Sequence, residues 1–173
     1  DRNNPYSFNE FLAWRQGADY YADDPFIQKV VRHYTGDIRR EVDAEARAVS
    51  AKASFRWRDM AERIARPEER PYILHYDGHH NRIDRIVRPR DTEIMEKEIF
   101  SEAFFAEKTP PWVKLIKMYI IYQNGEACIG CPVTCTEGLV ELLNKYADSP
   151  ETKEILRHCK EGIDGDFAIG AQY

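Results

Sequence analysis

At 173 residues the chain is long enough for one domain with its own core and too short for two complete ones. Its 43% apolar, 12% aromatic and 32% charged residues exclude a disordered tail, and a net charge of −5 leaves no electrostatic footprint for nucleic acid. No apolar run nears the ~18–20 residues of a membrane helix and no signal-peptide layout opens the chain, so a cytoplasmic protein with reduced cysteines is expected.

Helical periodicity runs from Ser7 to about Ala22, with Phe8, Phe11, Leu12 and Gln16 on one side. Pro25 opens a second short helix that continues through His33 and ends at Gly36. From Asp37 onward Ile38, Val42, Ala46, Val49, Ala53, Trp57, Met60 and Ile64 recur at steps of three and four. That stripe predicts one continuous helix, stopped by Pro67 and roughly 40 Å long at ~1.5 Å per residue. Between the apolar positions, Arg39, Arg40, Glu41, Glu45, Arg47, Lys52, Arg56 and Arg58 read as its solvated face.

In "PYILHYDGHHNRIDRIV" the period changes, and two β-prone runs flank Asp77-Gly78, a dipeptide suited to positive φ. A small hairpin over about 72–88 is the expectation. Asp91 is then read as the cap of a helix carrying Ile94, Met95, Ile99 and Ala103. Pro110-Pro111 opens another with Trp112, Leu115, Ile116, Tyr119, Ile120 and Gln123 along a face. "TCTEGLVELLNKY" and "SPETKEILRHC" supply two short helices, the second capped by Ser149. The closing "GDFAIGAQY" is apolar and β-prone, like a strand at its start.

Three of the four cysteines, Cys128, Cys131 and Cys135, stand in a C-x2-C-x3-C spacing. An iron–sulfur cluster or zinc would need a fourth ligand, for which Cys159 or His158 is available only far along the chain. Pro132 fits the first turn of a helix, which would bury Cys135 one turn on. Packing or pocket lining is therefore the stronger reading. The small residues Gly125, Ala127, Cys128, Gly130 and Cys131 leave room for a ligand against the backbone. His75, His79 and His80 surround the hairpin turn, but adjacent strand residues point to opposite faces, which disfavours a metal there. Arg82, Arg85, Arg88 and Arg90 alternate with acidic residues as a solvated, partly ion-paired surface.

Two stretches carry a resemblance. "YILHYDGHHNRIDRIV" with the helix that follows, and "IKMYIIYQNGEACIGCPVTCTEGLVELL" with its Cys131-Pro132-Val133-Thr134 core, resemble the N-terminal part of acyl-CoA dehydrogenases, especially the bacterial adaptive-response (alkylation-induced) subgroup. "GDFAIGAQY" looks like the opening of that family's middle β-domain. The resemblance implies a mainly α fold: an N-terminal helical domain over 1–162 with a hairpin, then the start of the β-domain over 163–173. It also implies an FAD-dependent oxidoreductase that removes the α and β hydrogens of an acyl thioester, with the catalytic carboxylate and most of the FAD site outside these residues. No catalytic residue is carried over, and the chain alone is expected to be inactive and free of FAD.

By the same resemblance, Glu126, Ala127, Cys128, Gly130, Cys131, Pro132, Val133 and Thr134 wall the acyl cavity, and Ala171, Gln172 and Tyr173 approach the flavin. The implied partners are an acyl-CoA-type substrate, the remaining domains or a partner chain, and further copies in a homo-oligomer, with no membrane and no DNA for this part. Two other classes stand beside this reading: a small Cys-ligated metal or redox protein, and a non-catalytic helical interaction module with an exposed apolar surface.

Overall fold

The computed structural model describes residues 4–161 and 167–171, excluding the side chains of Ala127 and Cys128. It is mainly helical: α1 (Asn9–Gly17), α2 (Pro25–Tyr34), α3 (Arg39–Ala51), α4 (Arg58–Ile64), α5 (Arg90–Phe100), α6 (Pro111–Tyr122), α7 (Ala127–Tyr146) and α8 (Pro150–Glu161). One antiparallel hairpin, β1 (Tyr72–Tyr76) with β2 (Arg82–Val87), completes it. Helix α3 packs along α6, α2 lies against α3, α4 against α5, and α7 against both α5 and α8.

The stripe from Val42 to Met60 is the centre of the core: Val42, Ala46, Val49, Ala53, Trp57 and Met60 are all buried. Ile38 and Ile64 pack at its ends, partly covered. The helix is not uniform, however. Between α3 and α4, residues Lys52–Trp57 wind as a π-helix, with the Arg58 amide reaching back five residues to the Ala53 carbonyl.

Helix α1 ends earlier than its periodicity predicts, because the next amides are captured elsewhere. Tyr20 N donates to Ser54 Oγ at 2.8 Å and Tyr21 N to Ser50 Oγ at 3.0 Å, while Asp19 Oδ1 accepts from Tyr21 and Ala22. A short polar turn thus locks onto the long helix. No residue of α1 is buried.

Arg58 corrects the solvated-face reading: it is only 5% exposed, and its Nη1 donates to the Arg15 carbonyl at 2.7 Å, closing the C-terminal end of α1. Its Nε is buried without a hydrogen-bond partner. On α6 the buried face is Val113, Ile116, Lys117, Ile120 and Ile121, whereas Leu115 and Gln123 are exposed. The predicted face is rotated because Lys117 turns inward, where Glu45 at 2.7 Å and Glu102 at 3.2 Å compensate its charge.

At the other helix ends, Ser149 caps α8 as its sequence predicts, and Asp24 caps α2 just before the expected Pro25. Asp91 does not cap α5: it lies inside the first turn and pairs with Arg63 at 2.6 Å, while Ala103 falls beyond the helix at φ 57°.

The hairpin turn is longer than Asp77-Gly78 alone. Asp77 N donates to the Asn81 carbonyl, Asp77 Oδ1 accepts from the His79 and Asn81 amides, and the left-handed residue is His80 at φ 64°. An Asx-type turn therefore replaces a two-residue one. Leu74 pairs with Arg85 and Tyr76 with Arg82, so β2 carries one extra residue, a bulge where Asp84 sits at φ 43°.

Candidate functional site

The segment expected to wall a cavity begins at the C-terminal end of α6. Asn124-Gly125 turns the chain, with Gly125 at φ 70°, a conformation that glycine adopts without strain. Asn124 anchors the turn to the π-helical segment: its Oδ1 accepts from Tyr20 Oη at 2.8 Å and its Nδ2 donates to the Ala53 carbonyl at 3.1 Å. Helix α7 starts at Ala127, earlier than expected, so Pro132 lies within the helix and not in its opening turn. At the sixth position Pro132 lies just past the four amides that need no intrahelical acceptor, so it removes one intrahelical hydrogen bond.

The small-residue stretch has a definite use at Gly130. A Cβ there would meet the Tyr122 ring at 3.2 and 3.3 Å, so the room left by Gly130 is filled from within by Tyr122. The Tyr122 hydroxyl pairs with Thr134 Oγ1 at 2.5 Å and lies 3.3 Å from the Gly130 carbonyl. An ion pair between Lys114 and Glu137 fastens α6 to α7 one turn further along.

The expected wall residues accordingly divide. Cys131 and Thr134 are exposed, Glu126, Gly130 and Pro132 are half-buried, and Val133 is sealed in the core. The side chains of Ala127 and Cys128, with Gln172 and Tyr173 entirely, lie outside the described residues. Cys131 and Cys135 approach to 3.8 Å, and their hydrogen bond raises the pKa of the Cys135 thiol. Cys159 is buried elsewhere, its thiol also raised by burial. Among the described residues no group of three His, Cys, Asp or Glu side chains is arranged to hold a metal.

The segment expected to approach a cofactor returns to this helix. Phe167 stacks on Phe100 at 4.7 Å, and Gly170 N donates to the buried Thr136 Oγ1 at 3.3 Å. Gly170 passes so close to Leu139 that a Cβ would lie 2.2 Å from its Cδ2. Residues 167–171 form no strand, which would require a neighbouring strand to pair with. Gly170 is thereby held at Thr136 on α7, and the exposed Ala171 follows it.

Sequence reasoning missed Tyr20, Tyr122 and Asn124, which hold this segment in place. The Asn-Gly dipeptide marks the turn, but nothing local marks Tyr122 as the ring that fills Gly130. A cleft of about 650 Å³ lies elsewhere, between the loop after α5 and α8, lined by Ser101, Ala106, Lys108, Lys153 and Leu156 among others.

No known family's sequence profile matches the chain, and neither does any curated protein. Two solved structures share its fold. Caenorhabditis elegans ACDH-11, in complex with C11-CoA, matches 87% of this chain at a TM-score of 0.72 and 17% identity. The apo-form of Bd2924 matches 88% at a TM-score of 0.75 and 19% identity. The chain spans 27% and 31% of the two proteins' lengths. Its fold is that of an acyl-CoA dehydrogenase-like N-terminal helical domain.

Proposed function

We propose that this chain is the N-terminal helical part of an acyl-CoA dehydrogenase-like flavoenzyme, with residues 1–162 as the helical domain and 163–173 leading into a middle β-domain. The observation that carries the reading is the fold shared with ACDH-11, a protein captured with C11-CoA, over 87% of this chain. The order of the sequence stretches supports it, and extends it to the adaptive-response subgroup, a cytoplasmic homo-oligomer acting on an acyl-CoA-type substrate.

In this reading the surface around Cys131, Thr134 and Ala171 is one wall of the acyl and flavin pocket. Thr134 already pairs with Tyr122, and Val133 faces the core, so the wall offers shape and exclusion of water more than hydrogen bonds. FAD, when bound in the family, accepts the hydride removed from the thioester. The described residues of this wall do not by themselves fit FAD, because its exposed members offer an alanine methyl, a thiol and an engaged hydroxyl and no cluster of donors for a pyrophosphate. No step is assigned to this chain's own groups beyond shaping the cavity. The Cys-ligated metal or redox reading gains no support from the described residues.

The test uses the whole protein encoded with this segment. A flavin spectrum that bleaches anaerobically on adding an acyl-CoA supports the proposal. Absence of flavin after expression with riboflavin, and after reconstitution with FAD, would overturn it. Cys131→Trp, at an exposed position, is expected to keep the flavin spectrum while weakening the acyl-CoA response. An unchanged response would remove Cys131 from the wall.

A further inference from the structure

The hairpin is unusual in being apolar and uncovered on both faces. Tyr72, Ile73, Leu74, Tyr76, Ile83 and Ile86 are each 38–67% exposed. A two-stranded sheet is marginal by itself, and stability ordinarily needs a third strand or a covering helix. Here the ladder is reinforced locally instead, by His75 Nδ1 against Asp84 at 2.7 Å and Arg82 against the same carboxylate.

The two outer edges differ. β2 is defended against further pairing: it carries Arg82, Asp84 and Arg85, and its bulge at Asp84 interrupts a flat edge. β1 has neither a formally charged residue nor a bulge, and its five residues contain no proline or glycine. One edge is closed and the other is a template for strand addition.

The sequence of β1 also specifies which strand would fit. Tyr72-Ile73-Leu74-His75-Tyr76 is nearly the same read in either direction. Placed antiparallel to itself about Leu74, it sets Tyr72 opposite the other copy's Tyr76, Leu74 opposite Leu74, and Ile73 opposite His75. Because side chains alternate between faces, Tyr72, Leu74 and Tyr76 of both copies share one face as cross-strand aromatic and aliphatic pairs. No charge opposes a like charge.

We propose that β1 is a homotypic docking strand: two copies of this chain join their β1 edges antiparallel about a two-fold axis at Leu74, forming a four-stranded sheet. The contact is isologous and closes on itself, since the defended β2 strands become the outer edges and stop further growth. It stands independently of the flavoenzyme reading.

Sedimentation analysis from about 1 to about 100 μM spans the range over which a micromolar interface dissociates. A concentration-dependent dimer is expected for the chain, loss of the dimer for Leu74→Lys, and little change for Ile86→Lys, whose site is more exposed but lies on β2. Unchanged far-UV circular dichroism would confirm that the helices remain folded in each variant. In a background with Cys128, Cys131 and Cys135 replaced by serine, Leu74→Cys should form an intermolecular disulfide with oxidised glutathione as the electron acceptor, and Ile86→Cys should not. A monomer throughout the series, a dimer that survives Leu74→Lys, or cross-linking through residue 86 in place of 74 would overturn the proposal; the first would leave the edge to another extended segment, and the last would indicate face-to-face stacking.

Discussion

The long helix and the hairpin were equally plain in the sequence, yet the structure treats them oppositely. In α3, the π-helical segment and α4, every position of the predicted stripe from Val42 to Met60 is buried, whereas the apolar residues of β1 and β2 are nearly all exposed. Periodicity identifies an element and its apolar face. It does not say whether that face has a partner within the same chain, because burial depends on what other segments bring to it.

The largest expected effect tests that contrast directly. Trp57 is completely buried and its Nε1 donates to Glu98 at 2.7 Å, so Trp57→Ala should cost about 3–5 kcal/mol, read as a lowered urea midpoint. Ile86→Ala, which removes an equally apolar but 67%-exposed side chain, should stay within about 0.5 kcal/mol. Comparable losses would mean that the hairpin is covered in solution by something other than the β1 edge contact.

A second, intermediate effect lies within the long helix, where serine does what the apolar pattern does not predict. Ser54 Oγ is the acceptor for the Tyr20 amide, while the Tyr21 amide has both Ser50 Oγ and Asp19 Oδ1, each at 3.0 Å. Ser54→Ala should therefore cost ~1–3 kcal/mol by stranding a buried donor, and Ser50→Ala less. Equal losses in urea titrations would show that the 3.0 Å contact between the Ser50 and Ser54 hydroxyls couples the two amides energetically.

These serines also mark the limit of what the sequence made legible. The buried stripe, the hairpin, the proline-led starts of α2 and α6 and the Ser149 cap follow from spacing and local chemistry. The π-helical turn, the early end of α1, and the burial of Arg58 and Lys117 do not, because each depends on a group distant in sequence: a serine for an amide, a helix-end carbonyl for a guanidinium, Glu45 and Glu102 for an ammonium. The candidate wall was legible in the same uneven way. The Asn124-Gly125 turn could be read locally, but the filling of Gly130 by Tyr122 and the return of Gly170 to Thr136 required the assembled helices.

The smallest expected effect concerns the charge that caps the core's largest ring. Arg56 donates to both Glu98 oxygens, and this ion pair, followed by the Trp57 hydrogen bond, holds the Glu98 carboxyl below its usual range despite partial burial. A depressed folded pKa means that the unfolded chain takes up the proton first as pH falls. The stabilisation is therefore complete above the ordinary glutamate range and is lost as pH drops through the folded value. Urea midpoints of the native protein and Glu98→Gln should differ at neutral pH, with the native protein more stable, and converge in acid. The size should be modest, since the Arg56 side chain is 57% exposed and solvent screens the pair. A gap that stays constant with pH would mean that Glu98 acts on Trp57 only as a neutral acceptor, and that the pairing with Arg56 adds nothing to the helix that the hairpin lacks.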